Sequence, residues 1–372
     1  MSVRLTAATL AATTALAGAQ TAAAEEYIYS SWFGTNHTAN VMALGPFFEK
    51  LAEATDGEAE WKLVPGAQLA SGPGTPEAVG NGLVDGGIAI APYQPRLMAA
   101  TNTIFSNSLL GKDTLAAAAA MNEAVLFGCP ECREEYRDLN AVGFAGYATT
   151  PYVFMCATDV QSVDDLKGLK VRSSGGGVSI SEIAGATPVS MSPGEATTAL
   201  ERGTLDCVLG AVSWLKSYGY QDVVETVVDS PMGTGGPPLL MFLNRDIWNG
   251  MSPEVRAAHI ELAPELVASA SYDAQLANDA RIVEAAVADG LKITPDSAEF
   301  QAIMEEHDRR QRDRVIEEAK AAGVENPEEI LDFYLASYDR WKTLLDEEGR
   351  DRETFVRLLW DEIYSKVDPE AL

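Results

Sequence analysis

The sequence predicts an α/β protein of two lobes, and three observations carry that expectation. The N-terminal half alternates strand and helix, and a second alternation begins near Pro151. The 372 residues also exceed what one ordinary core organises. Repeated strand–helix alternation favours largely parallel sheets, whose crossovers need helices.

Residues 1–24 stand outside that fold. Arg4 gives a positive start, Leu5 to Leu16 form a short Ala-rich apolar run, and Ala22-Ala23-Ala24 precede Glu25-Glu26. This is the layout of a secretory signal peptide with a small-residue cleavage site. The run is shorter than the roughly 20 apolar residues of a membrane helix, and no later stretch qualifies. The mature chain is expected to be exported and soluble.

Tyr27 to Trp32 reads as the first strand. Val41, Leu44, Phe48 and Leu51 recur at helical spacing over 38–56, and Gly57 stops that helix. Ala59, Trp61 and Leu63 alternate as a strand. Thr75-Pro76 opens another helix, with proline in the first turn where its missing N–H is harmless. Ile88 to Ala91 is a short buried strand and Asp113 to Phe127 an Ala-rich helix. In the second unit Tyr152 to Ala157 is a strand, and Ser162 with Asp165 resembles a capping box. Leu169 to Arg172 forms the next strand and runs into Ser173-Ser174-Gly175-Gly176-Gly177. Pro188 to Ser190 is a strand, Ser192 with Glu195 caps a helix, and Leu205 to Leu209 is a buried strand. Gly233 to Pro238 reads as a crossing back to the first lobe, continued by the strand Leu239 to Leu243. Everything after Ser252 reads as helix, one segment reaching about Asp289 and long enough to brace both lobes. The expected partition is 25–150 with 236–275 in lobe I, and 151–235 with 276–372 in lobe II.

A net charge of −28 offers no basic stripe for nucleic acid. It also bears on an anionic ligand. Screening confines the global field to about 8 Å at physiological salt, so an anion site here needs its own local cation. Four cysteines in an exported chain are free to pair. Cys129 and Cys132 are close enough for a local disulfide, and the preceding helix argues against a thioredoxin-like redox motif, which follows a strand. Cys156 and Cys207 fall on strands, as buried thiols or a second bridge. With three histidines and no second closely spaced Cys pair, a zinc site is not expected.

In open α/β sheets ligands bind beyond the carboxyl ends of strands. Arg172 stands at such an end, followed by Ser174 and Gly175, and a guanidinium there can take a carboxylate with two parallel hydrogen bonds. The bland alternative is a surface arginine paired with Asp164 or Asp165. Trp32 and Phe33, beside Asn36 and His37, and Tyr93 with Gln94 end strands of the first lobe. Trp214 follows the strand ending near Leu209. Each alone reads as core; together they share the address of a binding cleft. No dinucleotide fingerprint, P-loop or nucleophile elbow is present, and nothing announces an enzyme.

Asp164-Asp165-Leu166-Lys167-Gly168-Leu169-Lys170-Val171-Arg172 resembles the central signature of the DctP family of TRAP transporter solute-binding proteins. So do Thr187-Pro188-Val189-Ser190-Met191, Glu195, Ala199-Leu200, Gly203 and Asp206. Gly82-Leu83-Val84-Asp85, Asn244, Trp248 and Ser252-Pro253 resemble further family motifs. The resemblance implies a two-lobe periplasmic binding protein with hinge strands, a long helix spanning both lobes and a helical C-terminus. It implies Arg172 as the carboxylate ligand, and delivery of a small organic acid to separate small and large membrane subunits driven by an ion gradient. Tyr152 stands near the place of a second arginine found in sialic-acid and dicarboxylate types, and Gly210 in that of an asparagine. One anionic head with an apolar or hydroxylated tail is therefore expected. The glycine runs resemble the 2-oxoacid branch, yet Leu209-Gly210 and Thr234 replace its metal-binding residues, so no metal or other cofactor is expected. The expected site is Arg172, Tyr152, Trp214, Ser174, Gly175 and Gly210 with Trp32, Asn36, Tyr93 and Gln94, in a monomer. A binding protein for an ABC importer and an exported thiol-redox protein using Cys129 and Cys132 are the rival readings.

Overall fold

The computed structural model describes residues 25–109 and 111–372; the secretory segment expected at 1–24 lies outside them. Two sheets organise two cores. The first has the order β2-β1-β3-β10-β4, built from β1 (Glu25–Ser30), β2 (Ala59–Val64), β3 (Gly86–Ala89), β4 (Ala141–Ala145) and β10 (Leu239–Asn244). The second runs β11-β9-β5-β8-β6-β7. It contains β5 (Val153–Cys156), β6 (Lys170–Arg172), β7 (Thr187–Val189), β8 (Cys207–Gly210), β9 (Thr226–Asp229) and β11 (Lys292–Pro295). In each, parallel strands joined through helices sit beside antiparallel returns.

Both lobes use one local device to align their strands. Gly82-Leu83-Val84-Asp85 and Gly203-Thr204-Leu205-Asp206 each begin with a left-handed glycine, at φ 75° and 64°, a conformation that favours glycine. Each then buries an aliphatic side chain, Val84 or Leu205. Each ends on an aspartate that accepts a neighbouring strand's N–H: Ile28 to Asp85 at 2.7 Å and Lys170 to Asp206 at 2.8 Å. The second of these sets the register of β6, the strand that carries Arg172.

The lobes are joined by two crossing segments that hydrogen-bond to each other. Tyr147, Thr149 and Tyr152 donate their backbone N–H groups to Pro237, Gly235 and Gly233 at 3.1, 2.7 and 2.7 Å. A third connection is helical: Pro253–Ala268, a π-helical stretch Ser269–Leu276, and Ala277–Ala288. Leu266 and Val267 belong to the first core, Ile282 and Ala286 to the second. π-helical turns recur at functional junctions; this one lies where the cores meet, with Ser213 donating to Gln275 at 2.8 Å.

Two expectations are corrected. The chain after Ser252 is not all helix, because Lys292–Pro295 pairs in parallel with β9 as an edge strand. Ile293 and Thr294, bounded by Gly290 and Pro295, carry that preference locally. The C-terminus does not stay with the second lobe. Helix Ala298–Ala322 starts in the second core at Phe300, Ile303 and Met304 and reaches the first at Ala319. Tyr334, Trp341, Leu345, Phe355 and Leu359 then pack in the first core. Residues 327–372 thus extend lobe I rather than lobe II. Among the described residues no helix is long and apolar enough to cross a membrane.

All four cysteines are bonded, Cys129 to Cys132 and Cys156 to Cys207. The second bridge joins residues directly opposed on β5 and β8. Every one of these residues is buried.

Near the crossing, Thr150 donates its hydroxyl to Asp279 on the connecting helix. Burial pushes the Asp279 carboxyl up to about 6, against that hydrogen bond. A carboxyl raised in the folded state contributes stability that is complete below its unfolded value and is lost as pH rises through about 6. Asp279→Asn is therefore expected to have a flatter unfolding free energy than the parent between about pH 4 and 6.5, measured by urea titration. Equal slopes in the two proteins would refute this.

Candidate functional site

Arg172 closes β6, and its register opposite Val208 and Val189 turns it inward. The side chain is 2% exposed. Its Nε donates to the Met191 carbonyl at 2.8 Å and one Nη to the Tyr93 hydroxyl at 3.3 Å, while the other Nη is buried without a partner. The guanidinium lies over the Trp214 ring, 5.3 Å from its centroid. No carboxylate among the described residues forms an ion pair with it. Asp164 pairs with Lys167, and Asp165 caps its own turn at Ser162. The surface-pair alternative is thereby excluded.

A narrow cavity lies between the lobes. The first lobe lines it with Trp32, Phe33, Ile90, Tyr93 and Phe105, the crossing segments with Tyr147, Thr149, Gly236 and Pro237, and the second lobe with Tyr152, Ser174, Pro193, Trp214 and Tyr218. None of these carries charge. Burial raises the phenols of Tyr93, Tyr147, Tyr152 and Tyr218 above their ordinary range, so they are neutral donors at any physiological pH. Arg172 stands just behind the wall, in contact with two of its members, Tyr93 and Trp214. Burial opposes its charge, and the surrounding tyrosine oxygens, Tyr93 foremost, favour it. Glu195, a nearby carboxylate, is held below its usual range by hydrogen bonds from Ser192 within a helix cap.

The aromatic wall closes into a ring. From Arg172 one path runs through Tyr93 to Trp32 (5.7 Å between centroids), Phe33 (4.3 Å) and His37 (4.0 Å, stacked). The other runs through Trp214 to Tyr218 (5.7 Å) and back to His37 (5.2 Å). Such aromatic pairs add about 0.5–1.5 kcal/mol each beyond area burial and hold the walls rigid.

Of the expected site residues, Trp32, Tyr93, Tyr152, Ser174 and Trp214 line the cavity, with Arg172 at its edge. Gly210 and Gly175 act through space rather than contact. A Cβ on Gly210 would stand 2.1 Å from the Trp214 ring, and one on Gly175, at φ 53°, 2.8 Å from the Phe105 ring. The glycine run thus admits a close approach of the first lobe. Two of the expected residues lie outside the wall. Asn36 is exposed and outside the wall, because the loop turns its neighbour His37 inward instead. Gln94 donates to the Pro73 carbonyl at 2.9 Å and does not line the cavity. Sequence reasoning missed Phe105, Tyr147 and Tyr218. Tyr218 follows Trp214 by one helical turn, a readable signal. Phe105 had none, since its helix Ala99–Ser108 is buried nearly all round and shows no period. Among the described residues no three His, Cys, Asp or Glu side chains converge as metal ligands would.

Residues 31–315 match the family model for bacterial extracellular solute-binding protein, family 7, DctP. A curated relative is the monocarboxylate 2-oxoacid-binding periplasmic protein of Nostoc sp. strain PCC 7120, 26% identical over 278 residues, 68% of this chain and 69% of that protein. Among solved structures, the TRAP solute-binding protein of Rhodoferax ferrireducens T118, in complex with copurified benzoate, superposes with a TM-score of 0.76 at 17% identity, covering 86% of this chain and 99% of that one. That of Bordetella bronchiseptica, with bound (R)- and (S)-mandelate, gives 0.70 at 22% identity, covering 85% and 99%. The likeness to these structures extends to the two-lobe fold. With most of its length inside the family match, the chain belongs to the DctP family of bacterial extracellular solute-binding proteins.

Proposed function

We propose that this protein is the periplasmic receptor of a TRAP transporter and captures one small monocarboxylate with a flat, mainly apolar body. It performs no bond chemistry. It hands the acid as a monomer to the small and large membrane subunits for ion-gradient-driven uptake. The observation that carries this reading is Arg172: a buried guanidinium with no carboxylate partner, seated on an indole at the edge of an uncharged aromatic cavity. One fixed charge suits one acid group, and a second carboxylate would be desolvated among phenols and indoles with nothing to pair it. Ser174 and the Tyr152 hydroxyl are the supporting polar contacts, with Trp32, Tyr93 and Trp214 as walls.

Family membership supports a TRAP rather than an ABC partner. The redox alternative needs a thiolate that a disulfide can reach, and Cys129 and Cys132 are fully buried. A thermal-shift screen tests the proposal, because a ligand of the folded state alone raises stability by about 2.7 kcal/mol at a hundred times its Kd. Benzoate, mandelate, phenylpyruvate or pyroglutamate is expected to raise Tm, and succinate is not. A response confined to dicarboxylates, or to acids added with calcium, would overturn it.

A further inference from the structure

We propose that His37 is a second polar anchor of this site, donating its Nε2–H to an acceptor oxygen on the body of the bound acid, opposite the carboxylate. The inference rests on reading the cavity as the organic-acid site. On the aromatic ring described above, His37 is separated from Arg172 by Tyr93, Trp32 and Phe33 on one side and by Trp214 and Tyr218 on the other.

The chemistry of the imidazole is set by its own loop. Nδ1 accepts the backbone N–H of Ala39 at 3.1 Å, so Nδ1 carries the lone pair and the proton resides on Nε2. Burial brings the His37 pKa down to about 3, and this tautomer therefore persists as a neutral donor. The side chain is 1% exposed, and Nε2 is buried without a partner. His37 stands one layer behind the lining, its ring packed on Phe33 and Tyr218, which do line the cavity; buried N–H groups are nearly always paired, and an acid reaching between those two rings supplies the missing acceptor. The loop is also rigid: Asn40 accepts from Ser31 at 2.8 Å and donates to the Gly34 carbonyl at 2.9 Å.

His259 shows what a purely structural histidine looks like in this protein. Its Nε2 accepts from the Trp61 indole at 3.1 Å and its Nδ1 lies 2.8 Å from the Val255 carbonyl. His307 also lacks partners for its nitrogens, but it makes no ring contact with the cavity wall.

A site built to meet an oxygen discriminates strongly against an analogue lacking it. Calorimetry with benzoate, 3-hydroxybenzoate and 4-hydroxybenzoate as probes tests this on the mature protein, His37→Phe, His37→Gln and Arg172→Ala. The unaltered protein is expected to bind one hydroxylated acid about tenfold or more tighter than benzoate. His37→Phe should erase that preference with benzoate affinity kept within about threefold, and His37→Gln, still a neutral donor, should keep part of it. Should phenylalanine disturb the packing, seen as a lowered Tm, the Gln variant decides by the same comparison. A preference that survives in both variants, or that the unaltered protein lacks, overturns the role of His37 alone if benzoate binding depends on Arg172. Failure of all three acids to bind the unaltered protein overturns the reading of the site, and this role with it.

Discussion

Arg172→Ala is expected to abolish ligand binding, with a loss of about 2–5 kcal/mol, roughly thirtyfold or more in affinity, as for truncating one partner of a desolvated charge pair. Arg172→Lys should recover little, because an ammonium cannot reproduce the planar two-pronged contact nor lie flat on Trp214. Stability separates this from simple damage. In the unliganded protein the guanidinium is buried with one nitrogen unsatisfied, and replacing such a charge with an apolar side chain of similar volume is neutral or stabilising. Arg172→Met should therefore keep the ligand-free Tm of the parent while losing the ligand-induced rise. An Arg172→Ala protein that binds with parental affinity would remove the assignment.

Trp341→Ala is expected to cost about 3–5 kcal/mol, the range for deleting a fully buried tryptophan. Trp341 is 0% exposed in the first core, and its Nε1 donates to Glu123 at 2.9 Å. Arg340 holds the same carboxylate at 2.7 and 2.8 Å, so the variant leaves no orphaned charge and the effect reports packing. Denaturant titration measures it. Affinity at low temperature should stay within about threefold, since neither Trp341 nor Glu123 lines the cavity and sites without shared partners add independently. A loss under about 1 kcal/mol would show that the C-terminal helices lie loosely on lobe I.

Much of this architecture was legible because its signals are local. Periodic apolar residues marked the helix after Asn40, Ser192 with Glu195 marked a capping box that forms as written, and Arg172 at a strand end marked a side chain that the structure buries beside the cavity wall. Most of what escaped had little local signal or none. β11 is four residues long and gains its strand identity from pairing with β9. The return of residues 327–372 to the first core depends on where a long helix points, which no window of sequence records. Asn36 and Gln94 were placed by adjacency to strand ends, and a single turn of loop decides whether a neighbour faces inward. There the loop buries His37 and leaves Asn36 exposed.

The bond from Arg172 to Tyr93 joins side chains of opposite lobes. It gives the two halves a reason to meet even when no acid is held. On the proposed reading, a receptor that shuts on nothing would show a transporter the same outer face as a loaded one. The contact is long at 3.3 Å and leaves the guanidinium's other terminal nitrogen unanswered, so on the proposed reading an acid has a bond to add that the empty lobes lack.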